Sequence, residues 1–398
     1  MNLLKDNRTV KISLIVSDLS STGSGRWGGA VRPFLIYKAL KQLNYDVEIL
    51  GFVPSDNLED IPVSEIPTSY INAYKYPKFL VSINTLMKHI SGDIVYASKL
   101  KPTSFGTALI HKFKTRCPVL LDIDDWELSW YGGDKWRYRP GLKQLARDLL
   151  KPDGALRNPD HPLYLKWIEG LVSQADEITT HTHFMQERFG GVYLPQGKDT
   201  ALFNPSQYDP QKSRAKYGLS DYRILMFPGA PRPYKGLEDV LMALDRLNES
   251  DLRLVIVGGS PYDDYDNQLI EQWGRWIIKL PKFPVSIMPE VVAAAHIVVV
   301  PQRDTPAARA QFPLKLTDGM AMAKPIVSTC VGDIPEILGD TGYLVDPSSP
   351  EQIATQIQWI FRNFEEASAK GIRARERCIN YYSIDRMATL LSQIISNL

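Results

Sequence analysis

The chain has 398 residues, too many for one hydrophobic core, which sets the expectation of two domains of similar size. It is 44% apolar, 23% charged and 10% aromatic, which excludes a disordered, collagenous or coiled-coil protein. With Lys+Arg at 46 and Asp+Glu at 45 the formal net charge is +1, so no general attraction to nucleic acid or an anionic membrane follows; nucleic acid is not expected as a partner, and any such affinity is local.

Three cysteines, Cys117, Cys330 and Cys378, are odd in number, widely spaced and without a C-x-x-C pair. That argues against a disulfide scaffold or a cysteine-based zinc site and fits a reducing cytoplasm. The opening stretch sets Lys5, Arg8 and Lys11 around a short apolar run that continues as a strand, with no small-residue cleavage site, so no signal peptide is expected. No run approaches the roughly 18 to 20 apolar residues of a membrane-crossing helix, and a soluble or peripheral cytoplasmic protein is expected.

Short β-branched runs read as strands at 12–16, 47–52, 94–96, 119–123, 178–180 and 192–194. Amphipathic stretches at 35–43, 80–90 and 105–113 lie between them, and strands alternating with helices predict a mostly parallel sheet. Residues 203–220 are polar, carry two prolines and hold no strand, as an interdomain connection does. A second series follows, with strands at 224–227, 254–257, 285–287, 297–300, 326–328 and 343–345 and helices at 237–247, 269–278, 316–323 and 353–364. Two doubly wound α/β domains are the economical reading, with ligands expected beyond the carboxyl ends of the strands and a cleft where those ends face each other.

After the first strand comes Thr22-Gly23-Ser24-Gly25-Arg26-Trp27-Gly28-Gly29, ahead of a predicted helix. Glycines there let the backbone approach an anionic ligand, with helix amides facing it. Gly23, Gly25 and Gly28 formally spell the dinucleotide fingerprint, with Glu48 ending the next strand, but residues 17–22 separate the glycines from the strand they should follow. A flexible glycine-rich loop is the plain alternative.

In the second series, Phe227-Pro228-Gly229-Ala230-Pro231-Arg232-Pro233-Tyr234-Lys235-Gly236 again joins a strand to a helix. Arg232 and Lys235 there can neutralise a diphosphate, one by a fork and one as a point charge; the alternative is a solvated turn. Further on, Pro313 suits the first turn of a helix that sets Lys315 and Asp318 three residues apart on one face. This offers a cation for phosphate and a carboxylate for ribose hydroxyls, or a simple i,i+3 salt bridge. Asp122 and Asp124 alternate onto one face at a strand end, where an Asp-x-Asp could hold a divalent cation through carboxylate oxygens; aspartates also cap strand ends. His181 and His183 are possible metal ligands lacking a third.

Taken together these landmarks resemble the retaining glycosyltransferases of the GT-B fold, family 4 (glycosyltransferase group 1). In the first half the resemblance rests on Gly28-Gly29, Pro118 leading into VLLDIDD, Ala175-Asp176-Glu177-Ile178, and Leu194-Pro195-Gln196-Gly197-Lys198-Asp199 through Phe203 to Pro205. In the second it rests on Arg232 through Lys235-Gly236, Val255-Ile256-Val257-Gly258, Phe312-Pro313-Leu314-Lys315, Ala323-Lys324-Pro325-Ile326-Val327, and Gly332 through Pro335-Glu336. Their order and spacing cover nearly the whole chain.

The resemblance implies two Rossmann-like domains facing across a cleft: an acceptor-side domain at 1–205 and a nucleotide-sugar-binding domain at 206–379, with a C-terminal helix at about 380–398 open to packing back on the first. It implies a nucleotide-diphosphate sugar as co-substrate, retention of anomeric configuration, no metal and no separate cofactor. Arg232 and Lys235 would contact the diphosphate with Lys315 assisting, Asp318 the ribose, and Gly28 and Gly29 the donor; Asp124 falls where many relatives have a histidine near the reacting sugar. The catalytic set so implied is Asp124, Arg232 and Lys235. The first glutamate of the family's paired motif falls on Ala310, with Arg309 and Gln311 as neighbouring substitutes. An epimerase or a non-catalytic sugar-nucleotide-binding protein on the same scaffold is the alternative.

The expected acceptor is a sugar, a glycan or a lipid-linked sugar. Residues 126–151 interleave aromatic and basic side chains and set Leu142, Leu145, Ala146 and Leu149 on one helical face. This segment reads as a peripheral contact with the inner face of the membrane, as an acceptor pocket, or as a packed helical insertion.

Overall fold

The computed structural model describes residues 9–20, 31–54, 66–260 and 263–398. The chain divides into two compact units, Met1–Gln196 with Met387–Leu398, and Gly197–Arg386. Residues 197–205 therefore fold with the second unit, where Phe203 is in the core. Helix Ile384–Ile395 begins in the second unit, and from Met387 its residues belong to the first, with Met387, Leu391 and Ile394 buried.

The first unit holds a seven-stranded sheet in the order β3-β2-β1-β4-β5-β6-β7, every neighbouring pair parallel. Its strands are β1 (Lys11–Val16), β2 (Asp46–Pro54), β3 (Thr68–Ala73), β4 (Ile94–Ser98), β5 (Val119–Ile123), β6 (Glu177–Thr180) and β7 (Val192–Tyr193). The second unit holds six parallel strands in the order β10-β9-β8-β11-β12-β13. These are β8 (Arg223–Phe227), β9 (Leu252–Val257), β10 (Ile277–Leu280), β11 (Ile297–Val300), β12 (Ile326–Thr329) and β13 (Tyr343–Val345). The fold is two doubly wound, Rossmann-like sheets with helices, as expected.

The composition of the strands follows from burial on both faces. Along the second sheet alternate residues divide between two apolar cores: Ile224, Met226, Val298 and Val300 enter one, while Leu225, Phe227, Ile297 and Val299 enter the other. A strand covered on both sides reads as an unbroken apolar run, which is why β11 is Ile-Val-Val-Val.

Edge strands depart from this pattern, and there the expectations fail. Residues 285–287 form a turn after Pro284, with Val285 exposed, and the helix begins at Met288. The expected helix at 269–278 is a helix Tyr265–Trp273, a short turn Gly274–Trp276 and then β10, an edge strand whose exposed Lys279 imitates helical amphipathy. β3, Thr-Ser-Tyr-Ile-Asn-Ala, is an edge strand with no fully buried residue, which the apolar pattern does not mark. Among the described residues no helix is long and apolar enough to cross a membrane.

Candidate functional site

β8 and β11 are adjacent at the centre of the second sheet, where the order of connections reverses. The segments leaving their carboxyl ends diverge to opposite faces, and this switch point is where doubly wound sheets bind ligands. β8 runs into the loop containing Arg232, the turn Pro233–Lys235 and helix Leu237–Leu247. β11 leads to helix Pro306–Arg309 and then helix Leu314–Ala321, which carries Lys315 and Asp318. Pro313 stands at the N-cap of that helix, one position ahead of its first turn.

Two glycines fix this geometry. Gly236 has φ +67°, and a Cβ there would lie 2.0 Å from the carbonyl oxygen of Pro301. Gly229 has φ +152°, and a Cβ there would lie 2.6 Å from Cε of Lys315. The second glycine thus opens a path for the Lys315 side chain, whose Nζ lies 5.0 Å from the centroid of the Phe227 ring.

Lys235 Nζ donates to the carbonyl of Ala230 at 2.9 Å. Burial holds this lysine well below its ordinary pKa, and the nearby charges of Lys315 and Arg232 lower it further. Burial lowers Lys315 as well, partly opposed by Asp318. Among the described residues neither lysine makes an ion pair, whereas Arg232 is paired with Asp263 at 3.0 Å. Two close lysines withdrawn from water, neither directly ion-paired among the described residues, favour an anion beside them.

Asp318 sits beside this pair, but its partner is Lys198 rather than Lys315: Lys198 Nζ donates to Asp318 Oδ1. Lys198 is held in place by its backbone, which donates to Tyr382 and accepts from Ile384, and its Nζ lies over the Phe203 ring. Ala310 is fully buried at the end of helix Pro306–Arg309. Of its neighbours, Arg309 is engaged in a fork with Asp304 at 2.6 and 2.7 Å, while Gln311 accepts at 3.0 Å from the hydroxyl of Tyr234, the residue before Lys235.

In the first unit Asp122 and Asp124 separate. Asp122 is fully buried in a bidentate bond with Arg32, both contacts 2.7 Å, and accepts from Thr179 at 2.7 Å. Asp124 lies past the end of β5, with Oδ1 3.3 Å from Nζ of Lys99. Lys99 also meets Glu127 at 3.0 Å and Asp125 at 4.0 Å, and Lys101 meets Glu127 at 3.3 Å and Asp160 at 3.4 Å. Burial raises the pKa of Asp124. It carries Asp125 up to about 7, Lys99 opposing and Glu127 and Asp124 adding to the rise.

Among the described residues no group of three or more His, Cys, Asp or Glu side chains is arranged to hold a metal ion. His183 stacks on Tyr193 with centroids 4.2 Å apart, and His181 is buried. Gly28 and Gly29, with the rest of the glycine-rich loop, lie outside the described residues.

Residues 222–363 match the family described as Glycosyl transferases group 1. Among curated proteins, the GDP-mannose-dependent alpha-(1-6)-phosphatidylinositol monomannoside mannosyltransferase of Mycolicibacterium smegmatis is 25% identical over 240 residues, 56% of this chain and 63% of that protein. The N-acetyl-alpha-D-glucosaminyl L-malate synthase of Bacillus anthracis is 22% identical over 334 residues, 82% of this chain and 81% of that one. The chain has the two-sheet GT-B fold, and its second unit resembles the group 1 glycosyltransferases. Solved structures agree on the fold: Anabaena HepE in complex with UDP-glucose superposes with a TM-score of 0.75 at 17% identity, covering 98% of this chain and 100% of that one. Sucrose-phosphate synthase of Thermosynechococcus elongatus gives 0.73 at 17% identity, over 98% and 99%.

Within the second unit, Arg232, Lys235, Lys315 and Asp318, each expected from the sequence, come to one end of one sheet. Two contacts beside them have no such signature. Nothing local in the sequence joins Lys198 to Asp318, 120 positions away. Gln311 was one of two candidates beside Ala310, and only its bond to Tyr234 ties it to the Lys235 turn.

Proposed function

We propose that this glycosyltransferase transfers a sugar from a nucleotide-diphosphate sugar with retention of anomeric configuration and without a metal ion. The donor's diphosphate lies against Lys235, Lys315 and Arg232, its ribose hydroxyls against Asp318, and a sugar, glycan or lipid-linked acceptor is held by the first unit, with Asp124 among the residues beside it. The observation that carries this reading is the pair of buried lysines, neither directly ion-paired among the described residues, at the switch point of the second sheet. The relatives' names point the same way, since GDP-mannose and UDP-glucose are both nucleoside-diphosphate sugars.

The chemistry follows from charge. As the bond between the sugar's anomeric carbon and the diphosphate breaks, its electron pair leaves on the phosphate oxygen while the sugar becomes oxocarbenium-like. A cation fixed beforehand beside that oxygen stabilises the departing charge more than it stabilises the bound donor, which lowers the barrier. The acceptor oxygen then bonds to the same face of the anomeric carbon, and its proton passes to the departing phosphate. No acid or base of the protein is needed for that transfer. Gln311, held by Tyr234 beside Lys235, offers an amide where the relatives' first motif glutamate would meet sugar hydroxyls.

The test is calorimetric titration of the chain with UDP, GDP, ADP and dTDP and their hexose conjugates, followed by product analysis with a retained or inverted anomer as the readout. Saturable binding of one of them, lost in Lys235→Ala and Lys315→Ala, supports the reading. Absence of binding to all of them overturns it.

A further inference from the structure

Helix Leu142–Leu150 is mounted inside out. Its one buried residue is Asp148, whose carboxylate accepts from the hydroxyl of Tyr138 at 2.6 Å and from the amide of Gln144 at 2.7 Å. The mount is close: a Cβ at Gly154 would lie 2.3 Å from the carbonyl oxygen of Asp148. The apolar side therefore faces outward, with Leu142 89%, Leu150 76% and Leu149 52% exposed. A helix that packs as an ordinary insertion buries its leucines and shows its aspartate to water, the reverse of this arrangement.

The charge along this segment is mainly positive; the exposed acids bordering it are Asp134, paired with Arg188, and Asp153, paired with Arg147 at 3.1 Å. Between Lys135 and Lys151 the chain carries six Lys or Arg residues, all exposed, and a single acid, the buried Asp148. At 3.6 residues per turn, Lys143 and Arg147 lie along one side of the arc formed by Leu142, Ala146 and Leu149, beyond Leu150. Trp130 and Tyr131, on the preceding turn Glu127–Tyr131, are about half exposed, at 47% and 49%. With the whole chain at a net charge of +1, this concentration is local.

We propose that this face docks on an anionic phospholipid surface, the leucines entering the headgroup boundary while the surrounding cations meet lipid phosphates. A second copy of the chain is the poorer occupant, because a symmetric contact would bring the six cations of one molecule against those of the other. The proposal is independent of how the second unit binds its donor.

The test is co-sedimentation of the full chain with vesicles of phosphatidylcholine alone and of phosphatidylcholine mixed with phosphatidylglycerol. Binding is expected on the mixed vesicles, at least about tenfold stronger than on the neutral ones and weakened by salt. The variant Leu142→Glu, Leu149→Glu, Leu150→Glu should lose about tenfold or more in partitioning. The variant Lys143→Gln, Arg147→Gln, Lys151→Gln should lose the preference for phosphatidylglycerol; because all six side chains are exposed, both variants should melt where the parent does. The proposal falls if the parent stays in solution with both vesicle types, if neither variant changes its binding, or if light scattering shows a dimer that the glutamate variant dissolves.

Discussion

Lys198 donates to the carboxylate of Asp318, across 120 residues of chain. Both side chains are nearly buried, 11% and 13% exposed, and the backbone of Lys198 is clamped by Tyr382 and Ile384. The acid proposed to meet the ribose is thus oriented by the segment that opens the second unit. Lys198→Met should raise the Kd for the donor nucleotide about tenfold and lower stability by about 2 kcal/mol, since it strands a partly buried carboxylate. Lys198→Arg should recover much of both. An unchanged Kd in a folded Lys198→Met protein would remove Lys198 from this positioning role; calorimetry and urea unfolding make the comparison.

Lys235 makes the opposite bargain between stability and function. In the ligand-free protein it is a withdrawn cation next to another one, so Lys235→Met should raise the melting temperature. The same substitution should lower kcat at least about a hundredfold, as expected for removal of a group that supports charge only in the transition state. Melting curves with and without nucleotide give the second half of the check: the stabilisation by ligand seen in the parent should shrink in the variant.

The depressed pKa of Lys235 also fixes a sign for pH dependence. Above its folded pKa the native state lacks a proton that the unfolded chain still binds, so this lysine's contribution to stability rises with pH from that value to the ordinary value of about 10.4. A diphosphate favours the charged form, so binding in this range takes up a proton and donor affinity falls as pH rises. Calorimetry in two buffers of different ionisation heat should show uptake by the parent and little by Lys235→Arg. Equal heats for the parent in the two buffers would contradict the linkage.

Asp125 carries the reverse sign. Its pKa, pushed up to about 7, lies above the unfolded value of about 3.9, so the native state holds the extra proton and stability from this group is lost as pH rises between the two. Asp125→Asn keeps an acceptor for the indole of Trp130, whose Nε1 donates to Asp125 at 3.2 Å. The variant should be more stable than the parent at pH 8, with the difference shrinking toward pH 5. Urea unfolding at both values measures it.

Gly236 is required by its φ of +67° and by the Pro301 carbonyl oxygen 2.0 Å from any Cβ. Gly236→Ala should cost about 2 to 4 kcal/mol, and because Lys235 precedes it, turnover should fall with stability. A wild-type urea midpoint in that variant would show that the turn relaxes without help from glycine.

What could be read in the sequence follows burial. Strands such as β11, covered on both faces, announce themselves as apolar runs, and the cations after β8 and β11 stand out because a switch point gathers them from segments that each have their own signature. β3 and β10 escape because an edge strand has one covered face or less, and Pro284 with its following Val-Ser-Ile imitates a strand in a turn. The Asp-x-Asp pattern does not reveal that both oxygens of Asp122 bind Arg32, 90 residues earlier. Pairings of that kind, like Lys198 with Asp318, are set by tertiary distance and leave no local trace.

Helix Ile384–Ile395 has a practical consequence for anyone dividing this enzyme. A fragment ending at Gln196 would omit Met387–Leu398, which complete the same compact unit. The cut would uncover the apolar residues that Met387, Leu391 and Ile394 now shield, inviting aggregation. Splicing the closing segment onto the fragment through a short linker is the sounder route to an isolated first unit.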